Sequence, residues 1–179
     1  MKVYTRKGDD GTTGSLYGER VAKDAPGPVA CGDADEAQSA LGLARAAADA
    51  TPDLGAIVVQ LQRDLYVAMG ELATLPANRA KLTPGSTLVT KDMVVRLEQQ
   101  IDDLSTRFEP LRDFVLPGET VAAAALDLAR AIVRRAERSA LAVAVDGSHV
   151  LAYLNRLSDL LWTMARWQEG EARLTKDAG

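Results

Sequence analysis

In the segment Arg130-Ala131-Ile132-Val133-Arg134-Arg135-Ala136-Glu137-Arg138, the residues Arg130, Arg134 and Arg138 recur every four positions. On a helix this spacing projects their guanidinium groups from one face, with Glu137 beside them and Arg135 turned away. Such a stripe repels itself by roughly 0.2–0.5 kcal/mol per exposed pair, a cost that a solvated face tolerates and a bound anion removes. The chemistry it suits is polyphosphate binding, where the planar guanidinium makes charge-assisted, often bidentate bonds. A second run, Thr5-Arg6-Lys7-Gly8-Asp9-Asp10-Gly11-Thr12-Thr13-Gly14, is followed by Gly18-Glu19-Arg20 and Lys23. Its glycines let the backbone approach an anion closely, its threonines add donors and its lysines add charge. It lacks G-x-x-x-x-G-K-[ST] and is not a Walker A loop. As a bare pattern it also describes a flexible tail.

Two further groups carry polar chemistry. Asp33, Asp35 and Glu36 open an alanine-rich run, where helix capping accounts for Asp33 and pairing with an arginine of the basic helix is the alternative for the set. Asn155 and Asp159 share one helical face, and an asparagine inside a helix calls for a specific hydrogen bond. The single histidine, His149, and single cysteine, Cys31, leave little for zinc sites or Ser-His and Cys-His triads, and no metal-ligand set stands out. His149 reads as a surface or capping residue. The apolar stretch Phe114-Val115-Leu116-Pro117-Gly118 reads as a hook tucked onto the helices.

The elements that must hold these residues follow from the apolar spacing. A chain of 179 residues, 47% apolar and 26% charged, with a net charge of -4, fits one globular domain. No apolar stretch reaches the ~18 residues of a membrane span, so a cytoplasmic protein without membrane contact is expected. A pI near 5.1 argues against nucleic-acid binding by the whole surface. Residues 1–32 hold six glycines with Pro26 and Pro28 and read as an ordered or mobile loop, residues 33–171 as a helix bundle and residues 172–179 as a tail. Apolar spacings of three and four predict helices over Asp33–Asp49, Asp53–Leu75, Thr90–Arg107 with Thr90 as N-cap, Thr120–Val143 and Ser148–Glu169. Strand signals are confined to MKVYT and VAVDG. The predicted class is all-α, an up-and-down five-helix bundle.

Taken together, TRKGDDGTTGSLYGERVAKD, DADEAQSALGLARA, FVLPG, ARAIVRRAERS and YLNRLSDLLWTMAR resemble, in that order, the motifs of the PduO-type ATP:cob(I)alamin adenosyltransferases. The resemblance spans nearly the whole chain. It implies a five-helix subunit in a homotrimer, with ATP lying between neighbouring subunits. It implies that Thr5, Arg6, Lys7, Gly8, Thr13 and Lys23 wrap the ATP phosphates as an ordered glycine-rich loop. Arg134, Arg135, Glu137, Arg138 and Asn155 would complete the nucleotide pocket, with Arg134, Glu137 and Arg138 facing it. Asp35 and Arg130 resemble the family's oppositely charged pair across the subunit interface, and Phe114 the aromatic residue beneath the corrin ring. The implied reaction joins the 5′-deoxyadenosyl group of ATP to cob(I)alamin with Mg²⁺ present. A corrinoid reductase or an adenosylcobalamin-dependent acceptor enzyme is the implied partner.

The chain departs from the family pattern at several positions. Cys31 stands where an aromatic residue is common, and Ala34, Ala37 and Gln38 replace valine, leucine and asparagine. Lys7 replaces a common threonine, Glu119 a second glycine after Pro117-Gly118, and Asp127 a frequent histidine. These changes keep two other readings open: a non-catalytic ATP-binding bundle that senses nucleotide or delivers a corrinoid, and a helical module whose arginine stripe docks an acidic protein.

Overall fold

The structure, a computed structural model, describes residues 4–48 and 52–176. Among these residues five α-helices, a short 3₁₀ helix and one two-stranded antiparallel sheet form the fold. The strands are β1 (Thr12–Gly14) and β2 (Arg20–Ala22), and the helices α1 (Pro26–Ala46), α2 (Pro52–Leu72), α3 (Lys91–Ser105), α4 (Val121–Ala140) and α5 (Val150–Glu169). The 3₁₀ helix covers Pro76–Lys81. None of the described helices is long and apolar enough to cross a membrane.

The largest change from the sequence reading is at the start of the first helix. It begins at Pro26, not Asp33, because Pro26 and Pro28 occupy its first turn, where a missing N–H leaves no hydrogen bond unmade. Asp33 therefore lies inside α1 and caps nothing. Gly27 is required there, since a Cβ would stand 3.2 Å from the Leu72 carbonyl oxygen at the end of α2. The predicted end at Asp49 lies outside the described residues. The strands also fall elsewhere than expected: Thr12, Thr13 and Gly14 pair with Ala22, Val21 and Arg20. Residues 143–147 form turns and irregular chain rather than a strand, and the first three residues of MKVYT lie outside the described set.

Other boundaries have local causes. The second helix stops at Leu72 rather than Leu75, because Pro76 forces Leu75 into an extended conformation, φ −66° and ψ 147°. Thr90 caps α3 as expected, its hydroxyl accepting from the Met93 N–H at 3.3 Å. Thr120 does the same for α4 through the Ala123 N–H at 3.1 Å. The fourth helix ends at Ala140, three residues early, and α5 starts at Val150, its N–H held by the Ser148 hydroxyl at 3.2 Å. His149 sits at the N-cap position but makes no capping bond through its side chain.

Packing follows side-chain size. Buried Ala30, Ala34, Ala37, Ala40 and Ala44 make α1 thin, and Ala122, Ala125, Ala129, Ala136 and Ala140 do the same for α4. These two helices make the most extensive contact in the molecule, and α4 also packs on α5. Small residues at the seam permit this close approach. The departures Ala34 and Ala37 are thus part of a seam of small residues. Gln38 is fixed on α2, donating to the Gln62 carbonyl at 2.7 Å while Gln62 returns a bond to the Gln38 carbonyl at 3.1 Å. Leucines of α2, α3 and α5 fill the wider part of the core. Tyr153 is fully buried there and donates to Asp64 at 3.2 Å, and burial beside that carboxylate pushes its phenol well above the ordinary value.

Candidate functional site

Along α4 the basic residues separate into distinct environments. Arg134 and Arg138 are exposed, whereas Glu137 is half-buried and accepts from the Asn155 amide of α5 at 3.1 Å. Asn155 also accepts from Arg156 through its carbonyl oxygen. Arg138 donates to the Arg134 carbonyl at 2.9 Å. Among the described residues the Arg134 guanidinium meets no carboxylate, so its donors stay available to an anion. The predicted grouping of Arg134, Glu137, Arg138 and Asn155 on one side of the α4–α5 pair is present. Arg135 lies on another side, bonded to Asp33 at 3.1 Å and also to Glu36. Pairing between the acidic cluster of α1 and an arginine of α4 was the alternative reading, and the structure contains it.

The N-terminal residues are organised by Arg20, which the sequence reading left without a role. Its guanidinium reaches the Lys7 carbonyl, the Thr12 hydroxyl and, at 3.3 Å, Asp10. Asp10 accepts from the Thr12 N–H at 2.9 Å and hydroxyl at 2.7 Å, and these bonds hold its carboxyl below the ordinary value. Lys23 donates its N–H to the Gly11 carbonyl at 2.9 Å, and a Cβ on Gly8 would stand 3.2 Å from its amine. Gly8 and Lys23 thus lie together, while Thr5, Arg6 and Lys7 are exposed beside them. Thr13 points into a largely apolar cavity of about 630 Å³, formed by the hairpin, the start of α1, the end of α2 and residues 142–145. Asp35 and Cys31 lie on the same cavity wall. Burial, then the Asp35 charge, pushes the Cys31 thiol up.

Phe114 belongs to a second cavity, of about 580 Å³, with Trp162, Asp127, Arg130 and Arg166 among its lining. The apolar hook is not tucked in at this residue: Phe114 is 82% exposed. Its position comes from the C-terminal residues, which the sequence reading left as a tail. The Leu116 N–H donates to the Arg173 carbonyl at 2.9 Å, and the Thr175 N–H to the Phe114 carbonyl at 2.8 Å. Lys176 pairs with Asp113 at 2.7 Å and Arg173 with Glu119 at 3.0 Å. Backbone pairing and two ion pairs strap the loop, leaving the phenyl ring free. Arg130 faces this cavity and is bonded through Nε to Asp127 at 3.1 Å, so within one chain Asp35 and Arg130 line different cavities.

Residues 3–168 match the sequence model of one family, described as cobalamin adenosyltransferase. The chain belongs to that family. It is 42% identical over 171 residues to the corrinoid adenosyltransferase of Mycobacterium tuberculosis, an alignment covering 92% of this chain and 87% of the relative. A phenylalanine-to-histidine variant of the PduO-type ATP:corrinoid adenosyltransferase from Lactobacillus reuteri, complexed with cobalamin and ATP, superimposes with a TM-score of 0.88. The identity is 29%, with 98% of this chain and 97% of that one covered. An arginine-to-lysine variant from the same organism, complexed with ATP, gives a TM-score of 0.86 at 28% identity, covering 97% and 100%.

Within this adenosyltransferase frame, the residues that sequence reasoning did not select are Arg20, Trp162, Arg166 and the strap formed by Arg173, Thr175 and Lys176. Arg20, Arg166 and the strap hold other groups in place and Trp162 lines the Phe114 cavity, and such roles depend on contacts between segments far apart in the chain. Asp127 was visible only as a departure from the family pattern.

Proposed function

We propose that this chain transfers the 5′-deoxyadenosyl group of ATP to cob(I)alamin, giving adenosylcobalamin and triphosphate. The observation that carries the reading is the outward cationic face of Arg134 and Arg138 beside the Glu137–Asn155 pair, in a chain of this family. The spacing of the substituted residues in the Lactobacillus reuteri enzyme lends support: its phenylalanine and arginine lie twenty positions apart, as Phe114 and Arg134 do here.

In this reading cobalt(I) donates its electron pair to C5′ of ATP, the C5′–O bond breaks, and triphosphate leaves with that bond's electrons. No protein base is needed, which suits a chain with one histidine. Thr5, Arg6, Lys7, Gly8, Thr13 and Lys23 enclose the phosphates, and Arg134 and Arg138 balance the charge that grows on the leaving group. Arg135 serves the site by anchoring α4 on α1. Phe114 covers the lower face of the corrin and keeps ligands from the cobalt. Mg²⁺ would enter with ATP, shared between the phosphate oxygens and at most one or two protein oxygens.

The working form is a cytoplasmic homotrimer of one-domain subunits, in which Asp35 of one subunit meets Arg130 of the next. Two features support this arrangement. Val121 and Leu128 expose apolar side chains on α4, and the terminal nitrogens of Arg130 meet no carboxylate among the described residues. The reduced corrinoid comes from a reductase, and an adenosylcobalamin-dependent enzyme takes the product. Anaerobic incubation with ATP, Mg²⁺ and chemically reduced cobalamin tests the activity. Adenosylcobalamin by absorbance, together with equimolar triphosphate, is the expected result; ATP binding without either product overturns it in favour of a nucleotide-sensing bundle.

A further inference from the structure

Asp127 sits on α4 at 5% exposure, and its two carboxylate oxygens face different partners. Oδ1 accepts from Arg130 Nε at 3.1 Å, and Oδ2 accepts from Arg166, which is 3% exposed. Arg166 continues to Glu169 Oε1 at 2.7 Å. Cations and carboxylates therefore alternate along Arg130, Asp127, Arg166 and Glu169, and the four charges cancel. A buried chain of this kind contributes less stability than apolar packing of the same volume, but it fixes the direction of every group in it. Of the four, Arg130 alone is substantially exposed, over about a third of its side chain, and its bond to Asp127 uses Nε. Arg130, Asp127 and Arg166 all line the cavity that holds Phe114.

We propose that Asp127 is a positioning residue: anchored from behind by Arg166, it sets the Arg130 guanidinium at the wall of the Phe114 cavity, where that group meets the carboxylate of a neighbouring subunit and so orders the corrinoid side of the site. The proposal rests on the corrinoid reading of this cavity. Asp127 acts through Arg130 and makes no bond to Arg134 or Arg138, which lie further along α4.

Asp127→Asn keeps the shape but replaces one acceptor oxygen with an amide that cannot accept from a guanidinium. The KM for cob(I)alamin is then expected to rise about tenfold, while the KM for ATP stays within about twofold. Arg130→Ala gives a loss of the same kind, and Asp127→Asn/Arg130→Ala loses no more than Arg130→Ala alone, because the first residue works through the second. Asp127→Glu, which retains the charge but moves the carboxylate by one methylene, is the variant to use if Asp127→Asn fails to fold; the same pattern is expected. Losses that multiply in the double variant, or a KM for ATP that rises in step with that for cob(I)alamin, overturn the positioning role alone. A wild-type protein that makes no adenosylcobalamin overturns the corrinoid reading and this proposal with it.

Discussion

Arg135 Nε lies 3.1 Å from Asp33 Oδ1, and the Ser139 hydroxyl one turn along α4 donates to the other oxygen of the same carboxylate at 2.5 Å. With Glu36 also bonded to Arg135, the α1–α4 seam gains a polar clamp along an otherwise alanine-rich contact. The clamp fixes the rotation of α4. Because consecutive helical residues differ by about 100° in direction, holding Arg135 against α1 turns Arg134 away from it. Arg135 donates to Glu36 and Asp33, and these bonds raise its pKa above the ordinary value, so the guanidinium stays charged.

Arg135→Ala should therefore lower the melting temperature modestly while leaving ATP affinity within about twofold, since an exposed ion pair contributes little by itself. Thermal unfolding at low and high salt checks the origin of the effect: the difference from wild type shrinks as salt screens the pair. A large loss of ATP affinity without loss of stability would assign Arg135 to the nucleotide itself.

Arg134→Lys preserves the charge but removes the planar fork. If this group binds the triphosphate through paired donors, kcat/KM for ATP should fall about tenfold or more, with no change in melting temperature because Arg134 is exposed and bonded to no carboxylate among the described residues. Near-wild-type turnover in a steady-state assay would remove Arg134 from its role.

Phe114→Ala tests the corrin face. An aromatic ring that is 82% exposed contributes little to folding, so stability should hold. ATP affinity should hold too, because Phe114 lines a cavity separate from the Arg134–Arg138 face. If the ring keeps ligands from the lower face, cob(II)alamin bound with ATP shows the spectrum of four-coordinate cobalt in the wild type, and that spectrum should disappear in the variant as water or another ligand enters beneath the cobalt. Survival of that spectrum would show that another group covers the lower face.

The parts legible in the sequence are those set by periodicity. Leu97, Leu104, Leu154 and Leu161 fell on buried faces as their spacing required, and Thr90 announced a helix start by its side chain alone. The angular grouping of Arg134 and Arg138 was equally accessible, because it needs only 3.6 residues per turn. Proline misled where its role depends on position: Pro26 and Pro28 suit either a loop or a first helical turn, and only the fit of Gly27 against Leu72 decides between them. The three-residue strands TTG and RVA are too short to show alternation. The strap at Arg173–Lys176 left no signal, since two of its bonds to the Phe114 loop are made by backbone atoms and carry no side-chain signature.

That strap gives a further prediction. Asp113 accepts from the Phe114 N–H at 2.8 Å and pairs with Lys176 at 2.7 Å, and these contacts hold its carboxyl below the ordinary 3.8. The sign follows from the depressed pKa: the contribution to loop order is full above the unfolded value and is lost as pH falls through the lower folded value. Loop order should thus be insensitive to pH across the neutral range and weaken only below about 3.8, where the Asp113 contacts are lost and the backbone bonds remain. Asp113→Ala removes both contacts at neutral pH. Amide exchange at Phe114 and Thr175 should accelerate, and kcat with cob(I)alamin should fall about tenfold, because a misplaced aromatic ring no longer meets the reacting geometry. The KM for ATP should stay unchanged. Unaltered exchange at both amides would mean that the Leu116–Arg173 and Thr175–Phe114 backbone bonds hold the loop without help from the ion pair.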